Sequence, residues 1–186
     1  MNRFEIQSTP LGGLRLLARK PIGDERGWFE RMFCADDLRA VLDGRSIVQI
    51  NRTLTSKAGT IRGMHFQRPP HAEMKLVSCL RGCVFDVAVD LRKDSPTFLK
   101  WHGVELGGEQ PSTLAIPEGF AHGFQTLTED CELLYFHTAS YCQAAEGGVN
   151  PLDDRLAINW PMPVAAMSDR DRSHPPLNER YEGIAL

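Results

Sequence analysis

Apolar and polar residues alternate in short runs along most of the chain, a pattern that predicts β-strands. Between residues 46 and 137, eight such runs follow one another, separated by glycine, proline and charged residues. Their sequences are SIVQINRTL, GTIRGMHFQ, MKLVSCL, CVFDVAVDL, KWHGVEL, STLAI, HGFQTL and CELLYFHT. Three shorter runs, FEIQS, LRLLARK and WFERMF, precede them between residues 4 and 33. This pattern predicts an all-β protein.

Only two segments depart from the strand pattern. The sequence ADDLRAVLDG, residues 35–44, predicts a helix, because its apolar residues recur at helical spacing and Gly44 follows as a stop. After about residue 140 the chain is irregular and rich in proline, with one or two helical turns expected around residues 168–172. Many short strands at regular spacing favour a jelly-roll or cupin barrel of two sheets, with a few short helices. An immunoglobulin-like sandwich fits less well, because polar residues here fall inside strands.

Composition and charge narrow the possible functions. At 186 residues the chain is long enough for one well-buried domain, and we expect a single domain over residues 1–186. A net charge of -3 gives no reason to expect nucleic acid or an anionic membrane as partner. The chain shows no signal-peptide core and no apolar run of membrane-spanning length. The 5 cysteines form no CxxC pair, which predicts reduced thiols and a cytoplasmic protein.

The run TIRGMHFQ, residues 60–67, carries a histidine on a mostly apolar strand. A buried polar group is costly unless it is hydrogen-bonded, so His65 requires an explanation. A core histidine bonded to a backbone carbonyl is the simplest one for this run alone. Ideal alternation places His65 and Gly63 on one face of the strand and Arg62 on the other. The two polar residues can serve one site only if the strand bends or bulges at Gly63, or if Arg62 reaches around an edge, including from another subunit.

The run IPEGFAHGF matches one of the two metal-binding boxes of cupin barrels. Pro117, Gly119 and His122 stand in the order P-x-G-x-x-H. The second box would supply two histidines and a glutamate, whereas this chain offers His65 alone and has Gln67 near it. A transition metal requires three or four ligands, so we expect neither a metal nor another cofactor.

Without a metal, the barrel interior would act through acid–base chemistry. Histidine takes up a proton near pH 7 and gains basicity when a carboxylate binds its other ring nitrogen. A tyrosine can return a proton, and a lysine can stabilise an oxyanion. The candidate groups are His65, Lys75, His122, Tyr135, His137, Tyr141, Asp153, Asp154, Asp169 and Asp171. Taken alone, each residue also has a structural explanation. Tyr135 would be an ordinary packed aromatic residue of a strand, and Lys75 would be solvated at a strand edge.

Eight separated segments resemble one known family, that of dTDP-4-dehydrorhamnose 3,5-epimerase, a metal-free cupin of nucleotide-sugar metabolism. They occur in the right order between about residues 23 and 176. They are DERGWFE (Asp24–Glu30), QINRT (Gln49–Thr53), GTIRGMHFQ (Gly59–Gln67), EMKLV (Glu73–Val77), RGCVFDVAVDLRKDSPTF (Arg81–Phe98), IPEGFAHGF (Ile116–Phe124), ELLY (Glu132–Tyr135) and SDRD (Ser168–Asp171).

The resemblance implies a 3,5-epimerase of a 4-keto-6-deoxy nucleotide sugar. In this family's chemistry, His65 would remove the proton next to the C4 keto group, with Asp171 as its carboxylate partner. Tyr135 would reprotonate the carbon from the opposite face of the sugar. Lys75 would stabilise the enolate oxygen.

The resemblance also implies a substrate-binding set and a dimer. Arginines would bind the diphosphate, and several polar and aromatic residues would hold the rest of the substrate. The set is Arg26, Arg62 and Arg170 for the diphosphate, Phe29, Glu30 and Gln49 for the nucleotide, and Asn51, His122 and Tyr141 for other contacts. Similar epimerases are homodimers that exchange N-terminal strands, here within residues 1–45, and the irregular segment 140–186 would complete the site.

Several positions differ from the usual family pattern. Phe66 replaces a tyrosine, Glu73 a glutamine and Arg170 a lysine. The loop usually written ERGIRWDDP reads EGGVNPLDD here, between Glu146 and Asp154. These changes leave open an epimerase that acts at C3 only or on a GDP- or CDP-linked keto sugar, heptoses included. A non-catalytic sugar-nucleotide-binding cupin and a metal-dependent cupin are further alternatives.

Overall fold

The structure, a computed structural model, describes residues 2–108 and 111–186. Within these residues, thirteen strands, two short α-helices and one 3₁₀ turn (Gln143–Ala145) form. The strands and α-helices are numbered separately. In chain order they are β1 (Phe4–Ser8), β2 (Arg15–Arg19), β3 (Ile22–Asp24), β4 (Gly27–Phe29), α1 (Arg39–Leu42), β5 (Gln49–Thr55), β6 (Ile61–Gln67), β7 (Lys75–Arg81), β8 (Cys83–Asp90), β9 (Trp101–Gly107), β10 (Ser112–Ile116), β11 (Phe120–Thr126), β12 (Cys131–His137), β13 (Glu146–Gly148) and α2 (Asp169–Arg172). None of the described residues belongs to a helix long and apolar enough to cross a membrane.

Two antiparallel sheets form the double-sheet barrel that the strand pattern predicts. The first has the order β1-β2-β10-β7-β12-β5, and the second has the order β13-β6-β11-β8-β9. Strands β3 and β4 pair only with each other, as a separate hairpin. The prediction of an all-β fold of cupin type with a few short helices is confirmed.

Apolar side chains fill three layers around the two sheets. Between the sheets, Val77 and Leu133 of the first sheet pack with Val84 of the second. The C-terminal segment covers the outer face of the second sheet, where Leu177 packs with Val87. Burying one such side chain stabilises the fold by about 1.5–3 kcal/mol, so the irregular C-terminal segment is held in place by its apolar residues.

The predicted helix over residues 35–44 is shorter than its sequence pattern indicates. Only Arg39–Leu42 is helical, because Leu38 departs from helical geometry and Asp43 adopts the left-handed conformation with φ 49°. A single turn suffices to place Leu38 and Leu42 on the outer face of the first sheet. Tertiary packing therefore overrides the longer periodicity.

The predicted strand WFERMF is also shorter, since β4 ends at Phe29. At Glu30 the chain leaves the hairpin, and the Glu30 carboxylate accepts a hydrogen bond from the buried Arg19 guanidinium at 2.7 Å. This ion pair attaches the end of the hairpin to the first sheet.

A β-bulge in β6 changes which residues face the barrel interior. On β11, His122 pairs with His65 and Phe124 pairs with Arg62. Three steps along β6 therefore match two steps along β11, and the extra residue brings Arg62 and His65 to the same face. Ideal alternation, which would put them on opposite faces, fails for this reason, and the bulge at Gly63 that the sequence left open is the arrangement observed.

Glycine is required at the bulge by both conformation and space. Gly63 has φ +134°, and a Cβ built there would lie 2.5 Å from the Gly123 Cα. We expect Gly63→Ala to lower the free energy of unfolding by about 2–4 kcal/mol, because backbone strain and a backbone clash add. Urea unfolding followed by circular dichroism measures the change.

Gly12→Ala is the matched control, because nothing lies within 4 Å of a Cβ built at Gly12. Its effect should stay within about 0.5 kcal/mol. Equal stability of the two variants would contradict the role assigned to Gly63.

Candidate active site

A cavity of about 270 Å³ lies between the two sheets. Both sheets contribute its walls, and polar side chains predominate among them. The lining residues are Gln49, Asn51 and Thr53 from β5, Arg62, His65, Phe66 and Gln67 from β6, Glu73 and Lys75 at the start of β7, His122 and Phe124 from β11, Tyr135 and His137 from β12, and Tyr141 and Glu146. A cleft with convergent polar groups is the usual form of a small-molecule site.

His65 and Asp171 form a hydrogen-bonded pair on the wall made by the second sheet. The His65 Nε2 lies 2.8 Å from the Asp171 Oδ1. The other carboxylate oxygen accepts a hydrogen bond from the Gly63 amide at 3.2 Å. Asp171 lies in α2, where its own amide donates to the N-cap Ser168 Oγ at 3.0 Å. The sequence prediction paired these two residues, and the fold brings them together across 106 positions.

Asp171 is ionised in this arrangement. Burial opposes ionisation of Asp171, but the hydrogen bond and charge of His65, with the Gly63 amide and Ser168, outweigh it and lower the pKa of Asp171. The ionised carboxylate can only accept hydrogen bonds. His65 therefore carries its proton on Nε2 when neutral, which leaves the Nδ1 lone pair free to act as a base.

Tyr135 and Lys75 lie on the wall made by the first sheet, opposite His65. The Tyr135 ring contacts two histidines, with 6.2 Å between its centroid and that of His122 and 6.1 Å to that of His137. Burial raises the pKa of Tyr135 well above its ordinary value. The hydroxyl therefore stays protonated at neutral pH and can donate a proton.

Glu73 joins Lys75 to His137 in a buried polar network. Its two carboxylate oxygens lie 3.2 Å from the Lys75 Nζ and 2.8 Å from the His137 Nδ1. Asn51 donates to the His137 Nε2 at 3.3 Å, so the ring carries its proton on Nδ1. Burial opposes ionisation of Glu73, but His137 and Lys75 outweigh it and lower the pKa of Glu73. Lys75 is thus held by a buried carboxylate, and the solvated strand edge suggested for it is wrong.

Asp86, on β8, is a polar residue of the barrel interior. It is fully buried, and the His122 Nε2 lies 2.9 Å from each of its two carboxylate oxygens. Asp90, on the same face of β8, is equally buried and binds the Arg92 guanidinium at 2.7 Å. The sequence carried a signal for both partners, because two aspartates in the apolar run CVFDVAVDL would be buried and would each require a hydrogen-bonding partner.

Arg62, Gln49, Tyr141 and Glu146 line the cavity near its mouth, and Arg170 is attached there through Glu146 without lining the cavity itself. Tyr141 donates through its hydroxyl to Glu146 at 2.8 Å and through its amide to Gln49 at 3.0 Å. Arg170 forms an ion pair with Glu146. Arg62 is exposed along the cavity wall, and its guanidinium donates to the Leu54 carbonyl at 3.4 Å. Two arginines therefore lie where an anionic part of a ligand would enter.

Besides Arg170, three predicted binding residues do not line this cavity within a single chain. Arg26 and Phe29 belong to the β3–β4 hairpin, where the Phe29 side chain is 60% exposed and Arg26 pairs with Asp24. Glu30 is bound to Arg19. Their roles toward a nucleotide stay predictions.

Gln67 occupies the position where the H-x-H of the cupin metal box has its second histidine, and it holds two loops in place. Its side-chain amide donates to the carbonyls of His71 and Ser140 at 3.0 and 3.3 Å. Its carbonyl accepts from the Cys142 amide at 2.6 Å. These contacts position the loop that carries Tyr141.

Inversion at a carbon atom requires a proton acceptor on one side and a proton donor on the other. His65 and Tyr135, one a possible acceptor and the other a possible donor, lie on different sheets with the cavity between them. The fold and the site together are those of a cupin-type epimerase.

Comparison with known proteins gives the family. A family model described as dTDP-4-dehydrorhamnose 3,5-epimerase matches residues 8–179. The dTDP-4-dehydrorhamnose 3,5-epimerase of Salmonella typhimurium is 42% identical over 177 residues, which cover 94% of this chain and 96% of that protein. The chain belongs to the dTDP-4-dehydrorhamnose 3,5-epimerase family.

Two solved structures have the same fold. The Bacillus anthracis dTDP-4-dehydrorhamnose 3,5-epimerase, with TDP and PPi bound, has a TM-score of 0.89 and 39% identity, covering 94% of this chain and 99% of its own. The dTDP-6-deoxy-D-glucose-3,5-epimerase of Legionella pneumophila, in complex with dTDP-4-keto-L-rhamnose, has a TM-score of 0.86 and 40% identity, covering 92% and 91%.

The raised pKa of Tyr135 can be tested by titration. A raised pKa means that the phenol persists to higher pH, so at pH about 10, where free tyrosine is half ionised, Tyr135 should remain protonated. The ultraviolet difference spectrum between the wild type and Tyr135→Phe should then show no phenolate band at that pH. The same difference in urea should show the band, and its presence in the folded protein would contradict the assignment.

Proposed function

We propose that this protein inverts C3 and C5 of dTDP-4-dehydro-6-deoxyglucose to give dTDP-4-dehydrorhamnose. The observation that carries the proposal is the His65–Asp171 pair facing Tyr135 across the cavity. The ligands named for the Bacillus anthracis and Legionella pneumophila relatives, TDP and dTDP-4-keto-L-rhamnose, support a dTDP-linked keto sugar.

The reaction starts with removal of the proton on a carbon next to the C4 keto group. The His65 Nδ1 takes this proton, and the electron pair of the C–H bond moves into the carbonyl to form an enolate. Asp171 stabilises the imidazolium that results, through the hydrogen bond at Nε2. General-base assistance of this kind contributes roughly 10²- to 10⁴-fold in rate.

Residues of the opposite wall stabilise the enolate oxygen and carry out the second proton transfer. The Lys75 ammonium stabilises the developing negative charge on oxygen, and Glu73 and its partners hold that ammonium in place. Tyr135 then donates its proton to the carbon from the face opposite to His65, which inverts the centre. Proton exchange with solvent resets both groups, and the same sequence at the second carbon completes the reaction.

The remaining polar residues are assigned to substrate binding. Arg62 and Arg170 at the mouth would bind the diphosphate, since guanidinium groups match phosphate oxygens. Arg170 exchanges its Glu146 partner for phosphate in this arrangement. Gln49, Asn51, His122 and Tyr141 contact other parts of the substrate.

We also propose a homodimer in which the β3–β4 hairpin reaches the partner's cavity. The hairpin exposes Trp28 by 73% and Phe29 by 60%, an apolar surface that solvent alone does not favour. Strand β5 is an edge of the first sheet and exposes Ile50 by 57% and Leu54 by 52%. A second copy would cover both surfaces and would bring Arg26 and Phe29 to a nucleotide site that one chain leaves incomplete.

One observation favours an alternative within the same chemistry. The loop of residues 146–154 departs from the usual family sequence, and it contributes Glu146 to the cavity and pairs Gly148 with His65. An enzyme that inverts C3 only, or that accepts a GDP- or CDP-linked keto sugar, would fit such a change. The free cysteines favour a cytoplasmic enzyme in either case.

Incubation with dTDP-4-dehydro-6-deoxyglucose in deuterated water tests the proposal directly. Deuterium should enter C3 and C5 with the wild type, and entry at C3 alone would select the alternative. His65→Gln and Asp171→Asn should lower wash-in at both carbons by at least about 10²-fold. Tyr135→Phe should retain part of the exchange, because the base remains, while it loses net inversion.

Asp169→Asn is the control for Asp171→Asn, since Asp169 lies in the same helix and is exposed. It should exchange deuterium at the wild-type rate. Wild-type exchange in His65→Gln would overturn the role of His65 as base, and unchanged product formation by Tyr135→Phe would overturn the role of Tyr135 as acid.

A mixing experiment tests the shared site of the proposed dimer. Arg26→Ala and His65→Ala should each have low activity alone. After subunit exchange, each heterodimer should contain one intact site out of two. At random mixing about half of the dimers are heterodimers, so roughly a quarter of the wild-type activity should return. No recovery despite proven heterodimers would show that Arg26 does not act on the partner's site.

A further inference from the structure

A third titratable side chain, His174, lies against the His65–Asp171 pair, and the proposed reaction does not use it. Its ring stands edge-on to that of His65, with 6.4 Å between centroids and an interplanar angle of 71°. One ligand atom from each of His65, Asp171 and His174 falls within 4.8 Å of the others. Two imidazoles and a carboxylate therefore converge on one point.

Packing against the neighbouring backbone holds His174 at this point. Its Nε2 atom is buried and has no hydrogen-bond partner among the described residues. The ring packs against the backbone of Gly148, where an added Cβ would lie 2.1 Å from that Nε2. An imidazole nitrogen that is buried without a partner is rare in proteins and indicates an unfilled role.

We propose that His65, Asp171 and His174 bind a divalent transition-metal ion such as Zn²⁺, and that the bound ion inhibits the enzyme. Two histidines and one carboxylate with an open fourth position are a common Zn²⁺ ligand set. Bonds of about 2.0–2.2 Å place ligand atoms roughly 3.4 Å apart, so closing the present arrangement requires shifts of about 1 Å. The Gly63 amide already holds the Asp171 Oδ2, which leaves Oδ1 to turn to the ion.

Inhibition follows from the tautomer of His65 and rests on the proposed function. An ion bound at Nε2 displaces the proton that this nitrogen shares with Asp171, and the neutral ring then carries its proton on Nδ1. Nδ1 is the nitrogen that must accept the substrate proton. The metal-bound ring therefore has no free lone pair for proton abstraction.

Isothermal titration of the metal-free protein with ZnCl₂ tests binding independently of catalysis. The wild type should bind one Zn²⁺ per chain at this site, and His174→Gln should bind it at least about tenfold more weakly. His71→Gln is the matched control, since His71 is exposed and lies outside the cluster, and it should bind as the wild type does. Gly148→Ala should also weaken binding, because its methyl group displaces the His174 ring.

Activity supplies the second readout. Zn²⁺ should inhibit the wild type and His71→Gln reversibly, with recovery on adding EDTA, whereas His174→Gln should keep its turnover and require at least about tenfold more Zn²⁺ for the same inhibition. Equal Zn²⁺ affinity in the wild type and in a folded His174→Gln would overturn the site, as would no binding by the wild type. If no variant turns over the keto sugar while the affinities differ as expected, the proposed function fails and the metal site stands.

Discussion

The candidate site depends on one buried carboxylate, that of Asp171. It accepts hydrogen bonds from the Gly63 amide and from His65, so it pairs the backbone group at the bulge and orients the imidazole beside it. The carboxylate comes from the C-terminal segment, which apolar packing holds against the outer face of the second sheet. Folding of the whole chain is therefore required before His65 has a partner, which couples the stability of this segment to the site.

The cavity walls show a second constraint, which is that every charge taken out of water needs a partner. His122 is paired with Asp86, and Lys75 and His137 share Glu73. A buried ion pair contributes little net stability, since desolvation offsets the attraction between its charges. These pairs are better explained by position, because they hold polar side chains at defined points around the cavity.

The loop of residues 146–154 and His174 are in direct contact and form one structural feature. Gly148 leaves the space that the His174 ring occupies, and a side chain there would collide with it. The departure from the family pattern at this loop thus changes the surroundings of the His65–Asp171 pair. Such a change leaves the acid–base pair intact while altering what else can approach it.

The sequence by itself determined most of the strands and the β-rich class, because alternation with period two is a local signal. The acid–base roles came from the family resemblance and stay predictions. The motifs also paired His65 with Asp171, although no local property of either residue predicts their contact. Only the tertiary structure decided that Arg62 and His65 share a face, since the bulge depends on how β6 pairs with β11. It also decided that Asp86 and Glu73 are buried partners and that His174 joins the pair. Such contacts join residues far apart in the chain, and long-range packing rather than local periodicity brings them together.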